Sequence, residues 1–395
     1  MVNVKEIVDG IFYVGASDRR LGRFENMFPV PDGMSYNNYV IKDEKSVLFD
    51  TADNAVCEQF VENVKACAGD KLDYLVVLHM EPDHASTLLS ILKEYPSVTV
   101  VGNVQTFKFM EQFFPETATI NKMVVKEGDS LNTGAHNFKF IAAPMVHWPE
   151  VLFAYDEKTG ALFSADAFGT FGAIDGSVFA DDYDFDGKEL AEYRRYYSNI
   201  VGKYGCQVQA VLKKAAGLDV KYILPLHGPV WRKDIKKLID KYDLWSRYEA
   251  EDDGAVVIYS SMYGHTQSAA TLVAAKLSEA SGKNVEVYDA SGVDVSYLIA
   301  EVFRCKKVVI FSPTYNMGIY PAIESFISHM EALTVQNKIF ALGQNGTWAP
   351  SSGKLMACRL KELGNCTVLD NVLTIKSALH PGDEEMVDEF VKQIL

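Results

Sequence analysis

The chain has no run of eighteen or more apolar residues, so no segment is long enough to cross a bilayer as a helix. Its opening, Met1-Val2-Asn3-Val4-Lys5-Glu6, lacks the pattern of a signal peptide, and a cytoplasmic location is expected. Cysteine is sparse: six in 395 residues (Cys57, Cys67, Cys206, Cys305, Cys358, Cys366), with no C-x-x-C pair. That excludes a zinc ribbon and a disulfide framework and leaves buried thiols in a reducing compartment. Positive charge is short as well, 38 Lys and Arg against 53 Asp and Glu, a net charge of −15 with no basic stripe. Such a surface repels phosphate backbones and anionic membranes, so neither nucleic acid nor a membrane is an expected partner. Also missing are the G-K-[ST] of a triphosphate loop and the G-x-G-x-x-G of a dinucleotide turn.

What is present is a polar cluster behind a buried strand. Tyr74-Leu75-Val76-Val77-Leu78 reads as a short buried strand, and His79-Met80-Glu81-Pro82-Asp83-His84 follows it directly. Pro82 biases Glu81 away from helical backbone, so the cluster is expected on a strand-to-helix loop, with a helix beginning near Ala85. Two imidazoles and two carboxylates suit iron, manganese or zinc better than calcium or magnesium. Asp83 and His84 are adjacent, so their side chains tend to diverge, which favours two metals over one.

The pattern recurs. His147 stands just past the strand Phe138–Ile141, Asp166 ends Ala161–Ala165, and His227 ends Tyr222–Leu226. Apolar strands thus repeatedly deliver a ligand-type residue at their carboxyl ends, where open sheets place their sites. His79, Glu81, Asp83, His84, His147, Asp166 and His227 supply up to seven ligands, whereas a tetrahedral zinc needs about four. A dinuclear centre with Asp166 as the bridge is the natural reading. His136, His329 and His380 are expected at the solvent-exposed surface. Hairpin-forming strands precede the cluster, and helical patterns over Glu189–Tyr204, Val208–Lys214 and Asp234–Trp245 follow it.

The acidic, Gly-terminated stretch Glu249–Gly254 marks a linker, giving domains 1–249 and 250–395. Beyond it, Ala255–Tyr259 is a buried strand, and Ser260, Ser261, Met262, Tyr263, Gly264, His265 and Thr266 form a hydroxyl- and glycine-bearing loop that opens a helix. Backbone N–H groups and hydroxyls there make a cradle for a single phosphate. Strands at Val285–Tyr288, Lys307–Phe311, Lys338–Leu342 and Thr367–Leu373 complete a doubly wound parallel sheet of flavodoxin size. Two further strand ends carry Ser312, Pro313, Thr314, Tyr315, Asn316 and Met317, then Asn345, Gly346, Thr347 and Trp348. Tyr315 and Trp348 offer aromatic faces to a flat ring.

Taken together, His79-x-Glu81-x-Asp83-His84, His147, Asp166, His227 and Ser261–Thr266 resemble the flavodiiron proteins, or A-type flavoproteins, over essentially the whole chain. The resemblance implies a metallo-β-lactamase-like αββα domain holding two irons and a flavodoxin-like domain holding FMN. It implies one iron on His79, Glu81 and His147 and the other on Asp83 and His227, with Asp166 bridging and His84 a ligand in some members only. Glu81 stands where zinc hydrolases of this fold carry histidine, and a carboxylate there favours iron. The third flavin loop departs from the family's commoner glycine- and serine-rich form.

The implied activity is reduction of dioxygen to water, of nitric oxide to nitrous oxide, or both, with electrons relayed through FMN. The external donor is expected to be rubredoxin or a similar small redox protein, since no C-x-x-C module follows the flavodoxin-like part. The alternative is a zinc hydrolase fused to a flavin carrier. Phe24, Trp148, Phe168, Tyr196 and Tyr197 are candidates for setting gas preference. The short linker leaves one domain little freedom to fold onto the other, so a head-to-tail homodimer, or a dimer of dimers, is expected to bring flavin and metal of different chains together.

Overall fold

The computed structural model describes residues 2–395 and divides into two compact units. One holds the chain up to Tyr197 with Tyr204–Asp243, the other Ser198–Lys203 with Leu244–Leu395. The division therefore falls inside the helix Ile235–Ser246, ahead of the acidic linker, and part of that linker belongs to a strand, Asp252–Tyr259. Asp252 is not free to act as flexible chain. It accepts from Gly254 N–H at 2.9 Å and pairs with Lys283 at 3.0 Å. Among the described residues no helix is long and apolar enough to cross a membrane.

The first unit packs two sheets face to face. Seven strands run in the order Lys5–Val8, Ile11–Tyr13, Tyr39–Ile41, Val47–Phe49, Tyr74–Val76, Thr99–Gly102 and Lys122–Val124. The first four pair antiparallel, as the hairpin signals predict, and the rest parallel. Five strands form the second sheet: Ser130–Asn132, Asn137–Ala142, Leu152–Asp156, Ala161–Phe163 and Tyr222–Leu224. Val47, Leu48 and Phe49 are all buried, which is the signature of a strand covered on both faces. On the inner face Phe49 stacks on Phe163 of the other sheet with ring centroids 4.0 Å apart, and Phe138 closes on it at 5.2 Å. Such aromatic pairs contribute about 0.5–1.5 kcal/mol each beyond their area burial.

Two expectations are corrected here. Pro82–Ala85 is itself a helical turn, so Asp83 and His84 ride on it rather than on open loop, although Glu81 is extended (φ −58°, ψ 141°) as its proline neighbour requires. His136 is not at the surface: it is 1% exposed, stacks on Phe138 and bonds Asp156 at 3.0 Å.

The second unit is a parallel sheet in the order Glu286–Asp289, Asp252–Tyr259, Cys305–Tyr315, Ile339–Asn345 and Thr367–Val368. The strand expected at Thr367–Leu373 is two pieces, Thr367–Val368 and Leu373–Ile375, both paired to Ile339–Asn345. In chain order this is 2-1-3-4-5, the flavodoxin-like winding, whose switch point lies between the first and third strands. Ala269, Val273 and Leu277 of the helix His265–Ser281 pack with Val257, Val309 and Phe311 into its core.

Candidate metal centre and flavin pocket

The polar cluster is held from beneath by backbone. Leu78 and His79 N–H both donate to Asp50 Oδ1, at 2.8 and 3.1 Å, so the strand end cannot drift. His79 presents Nδ1 to Glu150 Oε1 at 2.8 Å, and His227 presents Nδ1 to the carbonyl oxygen of Ser35 at 2.6 Å. A carbonyl only accepts, so the His227 proton sits on Nδ1 and its Nε2 lone pair faces the cluster.

The seven residues gather into two adjoining groups, all buried. In His79, Glu81, His147 and Asp166 one ligand atom from each lies within 4.8 Å of the others, and the same holds for Asp83, His84 and His227. Asp166 reaches both: Oδ2 is 3.1 Å from His147 Nε2 and 3.6 Å from His79 Nε2, while Oδ1 is 3.0 Å from His84 Nε2. Glu81 Oε2 lies 2.9 Å from His147 Nε2 and 3.2 Å from His79 Nε2. Asp83 Oδ2 lies 3.1 Å from His227 Nε2 and 3.2 Å from His84 Nε2.

The electrostatics demand positive charge at this spot. Burial alone drives the imidazoles toward neutrality, yet the carboxylates outweigh it: Asp83 and Asp166 push His84 up to about 9, and Asp166 with Glu81 push His147 up to about 10. Burial likewise raises Asp166, but His84 and His79 hold it well below the ordinary carboxylate value. Asp83 Oδ1 is buried with no hydrogen-bond partner among the described residues. Buried carboxylates with facing lone pairs need protons or cations between them, and a nitrogen and oxygen donor set of this kind fits two transition-metal ions.

An aromatic wall surrounds the groups. Phe24, Tyr36 and Tyr196 stand 5.4, 5.8 and 5.7 Å from the His227 ring, and Trp148 stands 5.3 Å from His79. Of the residues expected to tune the site, Phe24, Trp148 and Tyr196 make these ring contacts, whereas Phe168 and Tyr197 pack on Tyr242 instead. Sequence reasoning missed Asp50, Glu150 and Ser35. Asp50 carries the same signal as Asp166, a carboxylate ending an apolar strand, and was legible. Glu150 and Ser35 carry none.

In the second unit a cavity of about 490 Å³ opens at the carboxyl ends of the strands. Ser261, Met262, Tyr263, His265 and Thr266 line it, as do Pro313, Thr314, Tyr315, Asn316 and Met317, and Asn345, Gly346, Thr347 and Trp348. Ala349 continues the third loop, and Ser377 joins from outside the expected loops. Ser260, Gly264 and Ser312 support the loops rather than the lining: Ser260 bonds Ser291, Gly264 donates to Ser261 Oγ at 3.0 Å from a left-handed backbone (φ 89°), and Ser312 Oγ accepts from Tyr320 N–H. Asn345 ties the pocket together, reaching Thr266 Oγ1 at 3.3 Å and both the carbonyl oxygen and the N–H of Ser377. Trp348 is 88% exposed, and Tyr315 is 44% exposed. A helix amino end for a phosphate, hydroxyls beside it and open aromatic faces fit a flavin mononucleotide.

Comparison with known proteins gives two family matches, one described as ODP family beta lactamase over residues 34–228 and one as flavodoxin over residues 257–390. The nitric oxide reductase of Moorella thermoacetica is 32% identical over 360 residues, spanning 90% of this chain and 89% of that protein. Among solved structures, the flavodiiron protein from Giardia intestinalis superposes with a TM-score of 0.93 at 25% identity, covering 100% of this chain and 95% of that one. The rubredoxin oxygen:oxidoreductase of Desulfovibrio gigas superposes with a TM-score of 0.92 at 27% identity, covering 99% and 98%.

Proposed function

The chain belongs to the flavodiiron proteins, and from that premise we propose that it reduces dioxygen to water, nitric oxide to nitrous oxide, or both, at a non-haem diiron centre fed through FMN. The single observation that carries the reading is Asp166, whose two oxygens face two separate groups of ligand atoms. The zinc hydrolase alternative is not favoured, given relatives named for nitric oxide and oxygen reduction.

We assign His79, Glu81 and His147 to one metal, Asp83, His84 and His227 to the other, and Asp166 to both. The inward-facing Nε2 of His84, 3.0 Å from Asp166 Oδ1, supports its inclusion. When bound, the two irons would supply redox equivalents to one dioxygen, or to the two nitric oxide molecules that make one nitrous oxide, and FMN would convert single-electron into paired delivery. The chain's own residues do the rest. Phe24, Tyr36, Trp148 and Tyr196 limit water around the centre. Tyr196 keeps its proton, because burial and then the Asp166 charge raise its pKa well above the usual phenol value, and its buried hydroxyl has no hydrogen-bond partner among the described residues, which leaves it free to donate. In the second unit we assign Ser261, Gly264 and Thr266 with the loop around them to the phosphate and Tyr315 and Trp348 to the ring.

The electron donor is an external redox protein, and rubredoxin or a similar small carrier is the proposed one, following the name of the Desulfovibrio gigas relative. A head-to-tail homodimer, or a dimer of dimers, is the proposed working unit, and the cytoplasm its proposed location, in keeping with six free cysteines. The deciding experiment is iron, zinc and flavin analysis of purified protein, followed by anaerobic reduction and stopped-flow mixing with each gas. Expected are about one FMN and two irons per chain, with reoxidation by at least one gas. Full zinc occupancy with little iron, from iron-replete cells, overturns the reading.

A further inference from the structure

The two ligand groups look alike in their donor atoms and differ in what stands behind them. Behind His79 is a carboxylate. Glu150 Oε1 lies 2.8 Å from His79 Nδ1, both side chains are 0% exposed, and the same oxygen accepts from Met80 N–H at 2.9 Å. Glu150 is itself anchored, since its carbonyl accepts from Asn103 Nδ2 at 2.6 Å and Asn103 caps the helix Val104–Phe113. A carboxylate on the imidazole N–H fixes the ring and raises the basicity of the nitrogen that faces the metal.

Behind the other group the support is weaker. His227 Nδ1 meets only a neutral carbonyl, that of Ser35. His84 Nδ1 is buried with no hydrogen-bond partner among the described residues, so no hydrogen bond from outside the cluster holds that ring. Asp50, the other buried carboxylate nearby, spends Oδ1 on the backbone N–H groups of Leu78 and His79 and hydrogen-bonds to no imidazole. The group with Glu81 therefore has a carboxylate hydrogen-bonded behind one of its imidazoles, whereas in the group with Asp83 the Asp50 carboxylate acts on His84 by charge alone, with no hydrogen bond to the ring.

We propose that the two metal positions are built unequal: the position framed by His79, Glu81 and His147 binds its ion more tightly and fills first, with Glu150 as the positioning residue responsible. The position framed by Asp83, His84 and His227 is the weaker and fills last. This rests on the diiron reading above and adds an order and a cause to it.

The test is anaerobic calorimetric titration of metal-free, FMN-loaded protein with Co²⁺. The wild type should take up two equivalents with separate affinities. Repulsion between two nearby cations also separates affinities, so the variants assign them. Glu150→Gln, nearly isosteric, should weaken the tighter equivalent roughly 10- to 100-fold and leave the weaker within about twofold. His84→Ala should weaken only the second. Retained FMN and an unchanged circular dichroism spectrum check folding, and if Glu150→Gln fails that check His84→Ala decides alone. One shared affinity in the wild type, a Glu150→Gln loss spread over both equivalents, or a His84→Ala loss on the tighter one overturns the inference. Two unequal equivalents in a protein that, loaded with iron, consumes neither gas would leave the inequality standing and sink the proposed reaction. Failure to bind a second Co²⁺ at all would sink both.

Discussion

His84 Nε2 lies 3.0 Å from His227 Nε2, so two facing lone pairs are excluded and either a proton or a cation stands between the rings. The Ser35 carbonyl keeps the His227 proton on Nδ1, so His227 cannot donate across that gap as a neutral ring. Either His84 is protonated or a cation sits among the rings and Asp83. The geometry is that of a site shaped around cations, and it sets what ligand deletion should do.

Asp166→Ala removes an oxygen from each group and leaves two cations less screened from each other. Metal content should fall well below one ion per chain, and gas reduction should drop by at least about 100-fold. His84→Ala should retain at least one ion. Metal analysis after gel filtration decides it, and an Asp166→Ala protein that keeps two irons while His84→Ala loses them would show the roles reversed.

Trp348 is 88% exposed, so Trp348→Ala should change stability by no more than about 0.5 kcal/mol. Loss of a stacked face is worth about 0.5–1.5 kcal/mol, so FMN should bind roughly 2- to 13-fold more weakly. Fluorescence titration of the apoprotein with FMN measures this. Unchanged affinity would remove Trp348 from the flavin site.

Lys338 is 2% exposed, and burial, partly offset by Cys305, pushes its ammonium down to about 7. Its nearest partner is the carbonyl oxygen of Cys305 at 3.1 Å. A lysine depressed on folding binds its proton more readily in the unfolded chain, so stability should rise with pH between about 7 and the ordinary lysine value near 10.4, and the burial penalty is full below that window. Lys338→Met should flatten this slope, with the difference from wild type shrinking by on the order of a few kcal/mol from pH 7 to pH 10. Urea unfolding of the second unit's fluorescence at both pH values reads it. Parallel slopes in the two proteins would contradict the assignment.

The proposed dimer predicts complementation between two dead proteins. Asp166→Ala and a flavin-free Thr266 variant, mixed and allowed to exchange subunits, should regain activity up to about half, since each crossed dimer has one intact flavin facing one intact metal centre. Mixed dimers that form, as tagged pull-down shows, and stay inactive would place transfer within one chain.

Much of this protein is readable in its sequence because the signals are local. A strand covered on both faces is a run such as Val47-Leu48-Phe49, a proline fixes the residue before it, and a ligand at a strand end needs only that strand. Hence the flavodoxin-like winding, the seven candidate ligands and most of the pocket lining follow from period and order, whereas the αββα arrangement entered only with the resemblance to a known family. What the tertiary structure decided has no local signature. His136 sits in the turn-like stretch Gly134-Ala135-His136-Asn137 yet is buried, because Asp156 arrives from another strand to pair with it. Ser377 joins the flavin pocket only because Asn345 crosses to it. Glu150 lies 71 residues from the His79 it supports, and Ser35 lies 192 from His227. Hydrogen bonds over such separations depend on two sheets packing in one register, and no window of sequence contains that information.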